Sequence, residues 1–181
     1  AVLGGLPQHL NVIEFPGRLV VGNRNVIREN VTMHRAMVAD HSTILGDDCL
    51  IMVGAHLAHD VVVGDHVVLT NNVMLAGHVS VGDRAYLGGG AAVHQYCRVG
   101  RNAMVGGLAR IVQDVPPFMM IDGESNQVVG LNKVGLRRAG MTPQERNDLK
   151  EAYQVLYRQG FSWEEVLATL EERFTTGPAA E

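Results

Sequence analysis

The sequence predicts a mainly β fold, a parallel β-helix of hexapeptide repeats followed by a small α-helical C-terminal domain. Residues 19–114 divide into sixteen blocks of six with no remainder, and the third residue of every block is aliphatic or Met. Neither an amphipathic helix nor an alternating strand has this period, whereas the stacked coils of a parallel β-helix do. An aliphatic-Gly-polar bend signal also recurs in every third block from Leu45 to Arg101, which indicates three blocks per coil.

One block is extra. The bend signals that begin at Val21 and Leu45 are four blocks apart instead of three. Residues 37–42 are the natural insertion, because Ala39 is the weakest core residue of the series. We predict that they form a loop that projects from the prism and is able to reach a neighbouring subunit.

Helices are predicted after the repeat. The repeat stops at Val115-Pro116-Pro117, where two prolines remove backbone donors from the ladder, so we predict domains at residues 1–115 and 116–181. A short helix is expected over residues 132–140. Two more are expected from residue 142 to about 160 and from 162 to about 174, each opened by a capping-box sequence.

Composition argues against several function classes. The net charge is −4 and no long basic run exists, which disfavours nucleic acid as the main partner. No apolar stretch approaches the roughly 20 residues that span a bilayer. Cys49 and Cys97 occupy inward first positions and are interpreted as buried structural thiols of a cytoplasmic protein. Because the sequence opens without Met and almost inside a motif, we expect that N-terminal coils precede it.

Histidines concentrate in one block of the coil. His59 and His78 are 19 residues apart, and His78 and His94 are 16 residues apart. Because each separation is close to one coil of 18 residues, we expect the three side chains to form a ladder along one edge. His34 and His56 fall in the same block, whereas His41 and His66 are interpreted as surface residues. Alternatively, stacked histidines satisfy backbone groups at the bends, a reading that is strongest for His34.

Two chemistries suit such a ladder. Imidazoles bind zinc, and a neutral His is well matched to general-base catalysis near pH 7. Asp60 follows His59 and is able to orient its ring, provided that the chain bends between them. Gly77 would let a backbone N–H approach a substrate oxygen, as an oxyanion donor must. No Ser or Cys nucleophile lies within the cluster, which favours direct transfer.

Several runs resemble the acyl-ACP–UDP-N-acetylglucosamine O-acyltransferases that begin lipid A synthesis. The resemblance rests on residues 27–35, 54–60, 75–81, 92–97 and 113–117, and it extends from Pro7 to the 135–138 run. It implies a left-handed β-helix, a homotrimer with sites in clefts between subunits, an acyl carrier protein thioester as donor, a sugar nucleotide as acceptor, and neither cofactor nor metal.

The resemblance also implies residue roles. His59 resembles the base that deprotonates the sugar 3-hydroxyl, Asp60 its partner, and the Gly77 amide the oxyanion donor. Gly107 and Met104 resemble acyl-channel positions, with Gly107 near the end that sets chain length. Residues that resemble sugar or nucleotide contacts are Gln8, His56, His78, His94, Gln95, Asn132 and Arg138. Candidates for docking the acidic carrier protein are Arg98, Arg101 and Arg110.

The sequence departs from the family pattern in the acceptor pocket. His9 and Asn11 occupy the positions of an acid and a lysine of the family. Val134 and Ala139 occupy the positions of a further acid and an arginine. Acyl transfer is therefore better supported than the identity of the acceptor, and a 3-amino analogue of the sugar nucleotide, or another sugar, remains open. Two competing hypotheses are a zinc-dependent hexapeptide protein of the carbonic anhydrase kind and a catalytically silent assembly protein.

Overall fold

The computed structural model describes residues 1–11 and 14–180 and confirms a left-handed parallel β-helix. Its short strands stack into three parallel sheets. The first sheet, called face A, contains β1 (Val2–Gly5), β4 (Thr32–His34), β7 (His56–Leu57), β10 (Met74–Leu75), β13 (Ala92–Val93) and β16 (Arg110–Ile111). Face B contains β2 (Arg18–Val21), β5 (Ser42–Leu45), β8 (Val62–Val63), β11 (Ser80–Val81) and β14 (Arg98–Val99). Face C contains β3 (Val26–Ile27), β6 (Leu50–Ile51), β9 (Val68–Leu69), β12 (Tyr86–Leu87), β15 (Met104–Val105), β17 (Met119–Ile121) and β18 (Val128–Leu131).

The core is built from the first and third residues of the blocks, as the period predicts. The register pairs Leu57 with Leu75 and Leu75 with Val93, so equivalent third residues stack directly. From Leu45 to Ile111 the third residue of every block is buried. Val21 and Ile27 are not, because β2 and β3 are the edge strands of faces B and C and are covered on one side only.

The corners of the coil place the sixth residue of most blocks in the left-handed region. Asp60, His78 and Tyr96 have φ values of 59°, 61° and 67°. This region costs roughly 1–2 kcal/mol for most L-residues and is tolerated best by Asn, Asp and His. Glycine is required elsewhere in the corner: a Cβ at Gly64 would stand 2.1 Å from the Asp83 carboxylate of the next coil.

The inserted block lies outside the core, as predicted, since Ala39 is exposed. It does not simply project, however. The N–H of His41 donates to Val38 O (2.9 Å), and the N–H of Arg18 donates to His41 O (3.0 Å), so the block turns back onto the start of β2. Its reach to a neighbouring subunit stays a prediction.

The sheet continues past the two prolines. In β17, Met120 pairs with Met104 and Ile121 with Val105, and the N–H of Phe118 donates to Arg101 O. The first compact unit accordingly covers Ala1–Val129 and the second Gly130–Glu181, later than the boundary predicted at residue 115. The reason is that the prolines occupy a corner, where a missing N–H removes no ladder bond.

The second unit is helical. It contains α1 (Lys133–Arg138), α2 (Pro143–Tyr157), α3 (Trp163–Arg173) and a 3₁₀ turn at Pro178–Ala180. Both predicted capping boxes are present, from Thr142 to Glu145 and from Ser162 to Glu165. None of the described helices is long and apolar enough to cross a membrane.

Candidate active site

The catalytic candidates meet at the corner between faces A and B. His59 and Asp60 follow β7, and Gly77 and His78 follow β10, the neighbouring strand of face A. The N–H of His78 donates to His59 O at 3.2 Å, which stacks the two corners one coil apart.

His59 and Asp60 form a hydrogen-bonded dyad. The positive φ of Asp60 supplies the bend that two adjacent side chains need to meet. His59 Nδ1 lies 2.8 Å from Asp60 Oδ2, and the side chains are only 12% and 7% exposed. The carboxylate therefore fixes the ring and leaves Nε2 as the nitrogen available for proton transfer.

Backbone and side-chain groups of the inserted block and its neighbour hold Asp60. The N–H of Met37 donates to Asp60 Oδ2 (3.0 Å), and the N–H of Asp60 donates to Thr43 Oγ1 (2.8 Å). Burial by itself raises the pKa of the Asp60 carboxyl. The hydrogen bonds from Met37 and His59, together with the nearby His78, lower the pKa by more than burial raises it, so the net pKa lies below its ordinary value. Met37 and Thr43 were not among the predicted site residues. The signal for Thr43 was a polar residue at an inward first position, which the structure buries completely.

Gly77 lies beneath the His59 ring. A Cβ on Gly77 would stand 2.6 Å from His59 Cε1 and 2.8 Å from Nε2. Within the described part of the chain the Gly77 N–H donates no hydrogen bond. A residue whose backbone N–H is free therefore packs against the ring that is able to accept a proton.

The predicted histidine ladder is offset. The rings of His59 and His78 meet edge to face at 5.2 Å, and His78 stacks on Tyr96 at 4.7 Å with an interplanar angle of 5°. The register that pairs Leu75 with Val93 places His94 beside Ala76 instead of His78. Because neither separation along the chain equals one full coil, every histidine occupies a different column of the same corner. His94 Nδ1 bonds Gln95 O at 3.2 Å.

His34 and His56 lie on face A. His34 is buried, and its Nδ1 bonds the backbone O of Leu6 at 2.6 Å, which confirms the structural reading of this residue. His56 Nδ1 bonds Thr32 Oγ1 at 2.8 Å. Burial, together with the neighbouring His34, lowers the pKa of His56, so its ring is neutral at pH 7.

The acceptor-pocket candidate Gln8 precedes β2. Gln8 is exposed, and so is the neighbouring His9. The His9 ring contacts His59 edge to face at 5.9 Å, so a residue that departs from the family pattern faces the dyad.

The acyl-channel candidates lie at another corner. Gly107 follows β15 and precedes β16, between faces C and A, and the N–H of Leu108 donates to Gly89 O. Met104 belongs to β15 on face C. A single chain thus does not bring Gly107 or Met104 to the corner of His59.

The nucleotide candidates belong to the second unit. Asn132 is the N-cap of α1, and its Oδ1 accepts from the N–H of Gly135 at 2.9 Å. Arg138 is exposed in the last turn. Within this unit a pocket of about 490 Å³ is lined by the basic residues Lys133, Arg137, Arg146 and Lys150.

One group of side chains is arranged so that it could hold a metal ion. Single ligand atoms of His59, Asp60 and His78 lie within 4.8 Å of one another. The His59 and Asp60 atoms are hydrogen-bonded to each other at 2.8 Å, an arrangement that also suits a proton-transfer dyad.

Comparison with known proteins shows the family of this chain. A six-repeat bacterial transferase hexapeptide model matches residues 42–77, and a model of domain 2 of UDP N-acetylglucosamine O-acyltransferase matches residues 114–181. The acyl-[acyl-carrier-protein]--UDP-N-acetylglucosamine O-acyltransferase of Paraburkholderia phytofirmans is 45% identical over 98% of this chain and 68% of its own length. The chain belongs to this acyltransferase family. The enzyme of Verminephrobacter eiseniae with the same name is 46% identical over 99% of this chain and 69% of its own length.

Solved structures of the acyltransferase family share the fold. The UDP-N-acetylglucosamine acyltransferase of Bacteroides fragilis matches with a TM-score of 0.92 at 32% identity, over 98% of this chain and 70% of its own. That of Francisella novicida matches with a TM-score of 0.87 at 36% identity, over 93% of this chain and 63% of its own. The chain therefore spans about two thirds of the length of these relatives.

Proposed function

We propose that this chain transfers an acyl group, expected to be a 3-hydroxyacyl group, from the phosphopantetheine thioester of acyl carrier protein to the 3-hydroxyl of UDP-N-acetylglucosamine. Family membership supports both substrates, since the curated relatives carry them in their names. The packing of Gly77 against the His59 ring carries the proposal, because the residue with the proposed oxyanion donor adjoins the proposed base.

The mechanism follows from the two nitrogens of His59. The Nδ1–H donates its hydrogen bond to Asp60, so Nε2 keeps the lone pair. Nε2 removes the proton of the sugar hydroxyl while the oxygen attacks the thioester carbon, and the Asp60 carboxylate stabilises the imidazolium. The Gly77 N–H donates to the tetrahedral oxyanion. When the C–S bond breaks, the imidazolium returns its proton to the leaving sulfur.

Substrate contacts and assembly belong to the same proposal. We propose a cytoplasmic homotrimer with sites in clefts between subunits, no cofactor and no metal. A cleft shared by two chains supplies a reason for Gly107 and His59 to occupy different corners of one chain. Acceptor contacts are proposed for Gln8, His56, His78, His94, Gln95, Asn132 and Arg138, and acyl-channel contacts for Gly107 and Met104.

Carrier docking is proposed for three arginines of the β-helix. Arg98 is mostly exposed and pairs with Asp114 at 2.8 Å, the Arg101 guanidinium lies 4.8 Å from the centroid of the Phe118 ring, and Arg110 is exposed. An acidic partner would compete with Asp114 for Arg98, so we expect salt-dependent docking that weakens on charge reversal.

Turnover with defined substrates tests the function. The protein is incubated with acyl carrier thioesters of several lengths and with UDP-N-acetylglucosamine, its 3-amino analogue and other sugar nucleotides. Mass spectrometry should detect singly acylated UDP-N-acetylglucosamine and free carrier thiol. If only the 3-amino analogue is acylated, the proposed acceptor is wrong. If no thioester is consumed with any sugar nucleotide, the proposed acyl transfer is overturned.

A further inference from the structure

One oxygen of the catalytic carboxylate candidate lacks a donor. Asp60 Oδ2 bonds both the N–H of Met37 and Nδ1 of His59. Asp60 Oδ1 is buried and has no hydrogen-bond partner among residues 1–11 and 14–180. A buried carboxylate oxygen is unfavourable without a donor, so the site has a specific place for one.

His41 faces this oxygen. Its Nδ1 lies 3.6 Å from Asp60 Oδ1, whereas His59 and His78 approach Oδ2 at 2.8 and 4.0 Å. The His41 side chain is 62% exposed, so its ring is free to rotate. A small rotation would convert the contact into a hydrogen bond.

The backbone of His41 is already fixed for this role. Its N–H and carbonyl are bonded to Val38 and Arg18 respectively. A Cβ on Gly17 would stand 2.3 Å from the carbonyl oxygens of both His41 and Val38, so the tight return of the inserted block depends on glycine there. Only the side chain has to move.

We propose that His41 is a positioning residue for the acyl transfer proposed above: its Nδ1–H donates to Asp60 Oδ1 and holds Oδ2 toward His59. The inference rests on the proposed function of the dyad. His41 touches no reacting atom and acts through Asp60 alone. The titratable groups that face Asp60 are His41, His59 and His78.

The test compares three variants. His41→Leu removes the donor, His41→Asn keeps a nitrogen donor near the position of Nδ1, and His66→Leu is the control, since His66 is a half-exposed histidine 4.0 Å from Asp48 elsewhere on the prism. Turnover and KM are measured with both substrates. The low-field NMR signal of the proton between His59 and Asp60 is measured in the absence of substrate.

We expect His41→Leu to lower kcat about tenfold, as loss of an orienting partner typically does, with KM within about twofold. His41→Asn should recover most of kcat, and the low-field proton should shift in the Leu variant only. Unchanged kcat and an unchanged proton signal in His41→Leu would overturn the proposal, as would equal loss in the Leu and Asn variants. An inactive wild type would instead overturn the proposed function, while the proton signal would still report the contact.

Discussion

The imidazole of His59 packs against Gly77, so closely that a Cβ on Gly77 would stand 2.6 Å from His59 Cε1. The two residues belong to successive coils and are brought together because β7 and β10 are neighbours in face A. This contact joins the proposed proton acceptor to the residue that carries the proposed oxyanion donor, and the first two predictions below depend on it.

Replacing His59 by Ala should abolish most turnover. General-base catalysis contributes about 10²–10⁴-fold, so kcat should fall by at least 100-fold in the mass-spectrometric assay. The fold should stay intact, because His59 belongs to a corner and not to the hydrophobic core. A variant within tenfold of wild type would exclude His59 as the base.

Gly77→Ala should inactivate the enzyme by displacing the His59 ring. Gly89→Ala is the matched control, because its Cβ would meet nothing closer than 3.5 Å and neither glycine has a positive φ. We expect at least a 100-fold loss of kcat for Gly77→Ala, since a misplacement of about 1 Å costs roughly that much, and little loss for Gly89→Ala. Equal activities would show that the close approach is unimportant.

The lowered pKa of Asp60 predicts how stability depends on pH. Since the folded pKa lies below the ordinary value of 3.8, the carboxylate stabilises the protein fully above that value, and the contribution is lost as pH falls through the folded pKa. Urea unfolding between pH 3 and 6 should show a smaller acid-dependent loss for Asp60→Asn than for wild type. A steeper loss in the variant would contradict the sign of the shift.

Metal removal should leave activity intact. Because His59 Nδ1 and Asp60 Oδ2 are hydrogen-bonded to each other, the dyad needs no ion to orient it. Dialysis against a chelator should not change kcat, and elemental analysis should find less than one equivalent of zinc per chain. Stoichiometric zinc that is lost together with activity would favour a zinc enzyme of the carbonic anhydrase kind.

Gly107→Leu should shift selectivity toward shorter acyl groups. A Cβ at Gly107 would lie 3.3 Å from Gly89 O, so the Gly89 backbone has to shift by a few tenths of an ångström before the new side chain occupies space in the proposed channel. Competition between carrier thioesters of different lengths measures the shift. An unchanged preference would remove Gly107 from the channel.

The core was predictable from the sequence because each block repeats the same local rule. Leu57, Leu75 and Val93 are buried one above another as the period requires. The boundary of the β-helix was not predictable from the sequence. Pro116 and Pro117 interrupt a sheet only at positions whose backbone N–H would donate a hydrogen bond to a neighbouring strand. In this fold they lie in a corner, and β17 follows.

The site was predictable only in part. Adjacent His59 and Asp60 suggested a dyad that needed a bend, and the positive φ of Asp60 supplies it. His41 was interpreted as an ordinary surface residue. Its position opposite Asp60 was not predictable, because it depends on how the inserted block returns past Gly17. Periodicity says nothing about a block that leaves the repeat.

The sequence by itself determined the coil, the burial of its aliphatic positions and the capped helices, because each depends on residues close together in the chain. Only the tertiary structure decided the offset of the three histidines, the contact of Gly77 with the His59 ring and the enclosure of Asp60. These features join residues about one coil apart, where a shift of a single position moves a side chain to a different column of the corner.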